Sequence, residues 1–182
     1  MMLLALGLVA LQTITYTNAA EELTLVHRYR LETRIEGETF TQRRRLVETV
    51  IDGNVVPAQD RTPPAVWSAP ASAEGKWRWP LELPEGEDFV VLATVYGLTR
   101  ADLKSPSEVT VRQRDVTIKV ATRPSGERLT FTYRGGGVEG KGWAKVRAEG
   151  RFVEQIDATY TGLRLPGGEL PVTMRLQQRP EK

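Results

Sequence analysis

The chain has 182 residues, is 40% hydrophobic and 26% charged, and carries a formal net charge of +2. That balance suits one globular domain with a targeting segment and lacks the clustered basic excess of a general nucleic-acid binder. No cysteine and a single histidine are present, which excludes disulfides, thiolate catalysis, zinc–thiolate sites and multi-histidine metal sites.

The chain opens on MMLLALGLVALQTITYTNAA, which contains no charged side chain. An apolar run from Met1 to Leu11, a polar stretch and two alanines predict a secretory signal peptide over residues 1–19, with Thr17-Asn18-Ala19 as a small-residue cleavage site. Cleavage after Ala20 is sterically equivalent. An uncleaved membrane anchor is the rival reading, although the apolar run is shorter than the roughly 20 residues a spanning helix needs. A cysteine-free exported chain suits a bacterial periplasm. The expected location is secreted or periplasmic, with membrane association only through an uncleaved N-terminus.

Beyond this segment the dominant period is two. In LTLVHRYRLETRI, Leu23, Leu25, His27, Tyr29, Leu31, Thr33 and Ile35 share one face, the alternation of a long half-buried strand. Glu36-Gly37-Glu38 turns it into a second strand from Thr39 to Ile51. Asp52-Gly53-Asn54 is a hairpin signal, because tight hairpin turns need residues that tolerate positive φ. Residues 20–56 therefore read as an N-terminal hairpin. Residues 57–75, PAQDRTPPAVWSAPASAEG, hold four prolines, which cannot donate to a ladder, and predict a long surface loop. A disordered linker rarely keeps a tryptophan, so Trp67 is expected to dock onto the domain.

Residues 76–182 read as a β-meander packed with 20–56 in a single domain. KWRWPLEL alternates Trp77, Trp79, Leu81 and Leu83 against polar partners and Pro80. FVVLATVY (89–96) is apolar on both faces, as expected of a central, doubly covered strand. TRADLK (99–104) suits a single helical turn with Thr99 as its N-cap. VTV (109–111) and VTIKV (116–120) are out of phase by one, which predicts a bulge or tight turn between Arg112 and Asp115. Pro124-Ser125-Gly126-Glu127 turns into LTFTY, where Leu129, Phe131 and Tyr133 share a face. RFVEQIDATYTG groups Phe152, Ile156, Ala158 and Tyr160, and Pro166-Gly167-Gly168-Glu169 turns into LPVTMRL. The sum is an all-β fold: an antiparallel up-and-down meander of roughly ten strands, closing into a barrel or a strongly coiled sheet.

The glycine-rich stretch YRGGGVEGKGWAKV (133–146) invites a phosphate-loop reading. Such a loop needs a helix after it, whose N-terminus meets the anion. Here the following residues alternate as a strand, with Gly142, Ala144, Val146 and Ala148 on one face and Trp143, Lys145 and Arg147 on the other. Lys141 also precedes a glycine, where a Walker motif has a hydroxyl residue. The stretch reads as a hairpin turn leading into a strand with a small inward face.

The segments VTVRQRDVTIKV, LTFTYRGGGVEGKG, IDATYTG and LPGGELPVTMRL together resemble the terminal meander of lipocalin-like small β-barrels of secreted bacterial proteins, and are similar to barrel modules attached to some secreted bacterial hydrolases. The resemblance covers roughly the C-terminal 75 residues, where a Gly-Gly, polar, Leu-Pro ending leads into alternating apolar residues. It implies a fold and a compartment and carries over no catalytic residue.

Catalytic chemistry finds no motif. There is no Gly-x-Ser-x-Gly elbow, with no cysteine and one histidine the usual nucleophile–base pairs are nearly absent, and no spacing singles out two of the 23 acidic residues as a carboxylate pair. His27, on the apolar face of its strand, reads as a buried histidine satisfied by a tyrosine or a carbonyl. In Arg43-Arg44-Arg45 only Arg43 and Arg45 share a face, which suits a solvated edge that resists sheet aggregation. The sequence thus predicts a secreted, non-enzymatic β-barrel module without a cofactor. As a structural or interaction protein it would meet a protein or glycan partner through Trp67 and Trp143. The alternative is a lipocalin-like carrier of a small apolar ligand, held in an interior lined by Trp79, Phe89, Phe131, Tyr133 and Tyr160. Interior volume separates the two, because a cavity above about 300 Å³ favours a ligand.

Overall fold

A computed structural model describes residues 6–18, 23–58, 63–71, 78, 87–113, 115–147, 152–165 and 170–181. The strands are β1 (Leu6–Asn18), β2 (Leu23–Glu36), β3 (Thr39–Ile51), β4 (Asn54–Pro57), β5 (Ala65–Pro70), β6 (Ser107–Gln113), β7 (Val116–Ser125), β8 (Arg128–Gly135), β9 (Val138–Arg147), β10 (Phe152–Leu163) and β11 (Val172–Pro180), with one helix, α1 (Glu87–Arg100), between β5 and β6. They form one 11-stranded sheet in the order β4-β3-β2-β1-β11-β10-β9-β8-β7-β6, with β5 also on β3, and every pairing is antiparallel. The meander expected from the alternation is present. The expected closure is not: β4 and β6 end the strand order and do not pair among the described residues. One segment counted toward closure is a helix, and the β4 end is a four-residue strand finishing in Pro57, which has no amide for a further neighbour.

Residues 6–18, expected to form the body of a leader, are β1, the strand on which the two halves of the sheet meet. β1 pairs with β2 from Leu6↔Ile35 to Asn18↔Leu23 and with β11 from Ala10↔Pro180 to Thr17↔Thr173. Its alternation matches its neighbours. Leu8, Ala10, Gln12, Ile14 and Tyr16 are buried on the inner face, while Val9 and Leu11 are exposed on the outer one. Ala19 and Ala20, the expected cleavage position, lie outside the described residues.

The proline-rich stretch is not wholly a loop. Its middle, Ala65–Pro70, is β5, in register with β3 from Arg44↔Ala65 to Thr39↔Pro70. Pro63 and Pro64 precede the paired residues and Pro70 ends them, positions where a strand tolerates the missing donor. Trp67 packs against the core. β3 is therefore covered at this point rather than a bare edge: Arg43 and Arg45 are exposed on its outer face, and Arg44 is buried on its inner one. Trp77 and Trp79 lie outside the described residues, as does the turn at 166–169.

α1 overturns the reading of 89–96 as a strand. A short apolar run cannot be told from a buried helix by periodicity, and its valines favoured the strand. The element is longer than the run, 14 residues from Glu87 to Arg100. Acidic residues in its first turn and Arg100 in its last complement the helix dipole. Val90, Val91, Leu92, Ala93, Val95 and Leu98 are all buried, each larger side chain contributing about 1.5–3 kcal/mol. α1 packs chiefly on β6, β7, β9 and β10. Gly97 permits this approach, because a Cβ there would lie 2.5 Å from Val120 Cβ. Thr99 closes the helix instead of opening one, its Oγ1 donating to the Tyr96 carbonyl at 3.0 Å. Asp102 then holds the following turn, accepting from the Lys104 amide at 2.8 Å and from Ser105 Oγ at 2.5 Å.

The glycine-rich stretch resolves as a turn and a strand. Gly136 and Gly137 have φ of 60° and 78°, the left-handed backbone that joins β8 to β9. In β9, Gly142 lies against β10, where a Cβ would sit 2.3 Å from the Asp157 carbonyl oxygen and 2.5 Å from Ala158 Cβ. Backbone cannot yield as a flexible side chain does, so Gly142→Ala is expected to lower unfolding free energy by about 1–3 kcal/mol, read from the urea midpoint. Removing residues 1–20 takes away β1 with its two ladders, and the shortened chain is expected to lose the cooperative thermal transition in circular dichroism. A sharp transition in that chain would show that the sheet closes up without β1.

Candidate functional site

At the N-terminal end of α1 the molecule holds a cleft of about 530 Å³. Its apolar side chains are Phe89 and Val90 from α1, Tyr133 from β8, Val138 from β9, Leu163 at the end of β10, and Pro171 before β11, and polar groups make up nearly half of its surface. The β8–β9 glycine turn and Arg164 complete the rim. Tyr133 is fixed from behind by Tyr160, ring edge to ring face with centroids 5.7 Å apart. Thr94 Oγ1 donates to the Val90 carbonyl at 2.8 Å. Its single proton is thereby used, so the Tyr160 hydroxyl donates to Thr94 across 2.9 Å. Burial pushes both phenols well above their ordinary range, and they remain neutral donors.

A buried polar chain runs across β3, β1, β11 and β10. Arg44 on β3 pairs with Asp88 in the first turn of α1 through Nη2 and Oδ1. Its Nη1 donates to Gln12 Oε1 on β1 at 3.3 Å. Gln12 Nε2 donates to Gln178 Oε1 on β11 at 3.3 Å, and Gln178 Nε2 donates to the Val153 carbonyl on β10 at 2.6 Å. The guanidinium lies over the Tyr29 ring at 4.0 Å and faces Trp67 at 5.7 Å. Burial holds the Asp88 carboxyl above its ordinary value, with Arg44 opposing the shift. Tyr29 Oη and His27 Nδ1 are 3.0 Å apart, and the Tyr16 ring meets His27 edge-on with centroids 5.5 Å apart. The Tyr16 hydroxyl is buried with no hydrogen-bond partner among the described residues.

Of the residues named from sequence as an interior set, Phe89 and Tyr133 meet on this cleft and Tyr160 stands behind it. Phe131 is buried and borders a separate hollow of about 600 Å³ across the starts of β6 and β8. Trp79 falls outside the described residues. The two tryptophans named as partner contacts do not sit together. Trp67 is turned inward toward Arg44, and Trp143 on β9 is covered by the Arg128 guanidinium, 4.0 Å from its ring centroid. Sequence reasoning passed over Arg44 and Asp88. The signal was available for Arg44, since a face that excludes Arg43 and Arg45 places it with Phe40 and Gln42. Asp88 had none once its segment was read as a strand.

Comparison with protein-family models and with curated proteins finds no match for this chain. Among the described residues, no three histidine, aspartate or glutamate side chains converge as metal ligands.

His27 supplies a pH response. Burial first, and then the Arg44 charge, hold it below the ordinary histidine value of 6.5. In the interval between the native and unfolded values the native protein binds fewer protons, so stability falls as pH drops through that interval. Thermal melts from about pH 7 to pH 5 are expected to show this loss, and His27→Gln to flatten it. A slope unchanged by the substitution assigns the loss to other groups.

Proposed function

We propose that the protein is a non-enzymatic carrier that holds a small apolar molecule in the cleft at the N-terminal end of α1. The observation that carries this reading is the cleft itself: about 530 Å³, lined by apolar side chains and by the polar backbone of the glycine turn, within the roughly 300–1,000 Å³ typical of small-ligand sites. The space lies at the end of the helix rather than beneath it, where a hollow between α1 and the strands is only about 10 Å³. A ligand would therefore enter beside Phe89 and rest on Tyr133, whose ring is held by Tyr160. Trp67 packs partly buried against the core and Trp143 lies under the Arg128 guanidinium.

Titration with N-phenylnaphthylamine tests the carrier reading. Saturable, blue-shifted fluorescence at about one probe per chain is expected, as for a single apolar site. Pro171→Trp, which fills the cleft from its exposed rim, is expected to weaken binding at least about tenfold while leaving the thermal midpoint within a few degrees, as surface substitutions generally do. Absence of saturable fluorescence, or binding indifferent to Pro171→Trp, would overturn this site.

A further inference from the structure

We infer that β6 is an edge at which two copies of this chain join, pairing antiparallel about a two-fold axis at Thr110 so that Glu108 of each copy faces the partner's Arg112. This does not depend on the carrier reading, because no residue of β6 lines the cleft. β6 ends the strand order. It pairs with β7 over seven residues, from Ser107↔Thr122 to Gln113↔Val116, without a register shift. Beyond that ladder, the hydrogen bonds that reach β6 among the described residues involve only Ser107. One row of backbone donors and acceptors is therefore open, the template on which another extended chain adds. The β4 end of the sheet is guarded by a strand of four residues that finishes in Pro57. β6 holds no proline and no bulge.

The residues of β6 favour a second copy over other extended chains. Glu108, Thr110 and Arg112 are exposed on the outer face, and Val109 and Val111 lie on the inner one, half-buried and buried. Turning SEVTVRQ about Thr110 sets Glu108 across from the partner's Arg112 and Val109 across from the partner's Val111. Symmetry makes each of these matches twice, as in any isologous contact. Opposite charges and β-branched residues directly across an antiparallel ladder are favourable pairs. Charges of one sign on an edge repel a copy of the same edge, whereas these two differ in sign and stand equally far from Thr110. Moving the axis to Val109 or Val111 puts Glu108 or Arg112 across from Thr110 instead and shortens the ladder. Both charges are able to take a partner. Glu108 meets Lys119 through Oε1 at 3.2 Å and keeps 48% of its side chain exposed. Arg112 is exposed and makes no ion pair among the described residues.

Sedimentation velocity of the full chain at about 10–500 µM is expected to show a reversible monomer–dimer equilibrium with Kd on the order of 100 µM, as suits a contact smaller than a standard interface. Glu108→Arg sets arginine across from arginine at both ends of the ladder, and Arg112→Glu sets glutamate across from glutamate. Each variant alone is expected to dimerise at least about tenfold more weakly. An equimolar mixture of the two is expected to regain the dimer, since every pair across the axis is then of opposite sign. Thermal midpoints within a few degrees of the parent chain show that the variants fold, as surface substitutions generally do. Where Glu108→Arg does not fold, Arg112→Glu decides alone: its dimer is expected to strengthen from about 50 mM to about 1 M NaCl, because salt screens the repulsion, while the parent dimer weakens. A parent chain that stays monomeric at the highest concentration, a dimer that neither variant weakens, a mixture that stays monomeric, or an Arg112→Glu dimer that salt does not strengthen overturns the inference.

Discussion

A cation buried in a protein must have a counter-charge near it, and in this molecule that requirement sets where the helix begins. Arg44 sits on the inner face of β3, buried to 5% exposure, and Asp88 in the first turn of α1 meets it. Removing one partner of such a pair typically costs about 3–5 kcal/mol, because the other charge is left without compensation. The pair therefore acts as a positional constraint more than as a source of net stability. It anchors the N-terminal end of α1 to β3, while Gly97 brings the later turns onto Val120 of β7. Two points on one helix, one electrostatic and one steric, tie the N-terminal strands to the C-terminal ones across the inner face.

The sheet provides the frame for that arrangement through β1. It joins β2 to β11 and so makes one sheet from the hairpins that precede α1 and the meander that follows it. The polar chain from Asp88 through Arg44, Gln12 and Gln178 to the Val153 carbonyl runs through the same strand. Gln12 is buried to 1%, and each of its two amide atoms is used. A buried amide left unsatisfied would cost about 1–3 kcal/mol, so this one also fixes the positions of β3 and β11 relative to β1.

The cleft follows from where the helix stops. The α1 residues from Val90 onward fill the inner face against β6, β7, β9 and β10. Before Val90 the helix has too little chain left to cover the turn end of β8 and β9, and the space opens there between Phe89, Tyr133 and Leu163. Tyr133 remains rigid in that wall because Tyr160 backs it, and Tyr160 is satisfied by Thr94 from the helix itself. The same helix that closes the core thus frames the cleft and carries the carboxylate that meets Arg44.

Much of this was legible in the residues alone. Alternation set the strands from Leu23 to Ile51 and from Val109 to Tyr133 with their inward faces, and Asp52-Gly53 and Gly126 marked turns by their tolerance of positive φ. The period-two pattern is a local property, fixed by how successive side chains leave a pleated backbone. Three features were decided only by what each segment meets. Leu6–Asn18 has the apolar content of a leader and equally of a central strand, and partners on both sides make it β1. Residues 89–96 are apolar all round, a composition shared by a covered strand and a covered helix, and the inner face of the sheet receives them as part of α1. Arg44 could be placed inward by parity, but its partner could not, because Asp88 is 44 residues away in sequence and no local pattern encodes a contact made through the packing of a helix on a sheet.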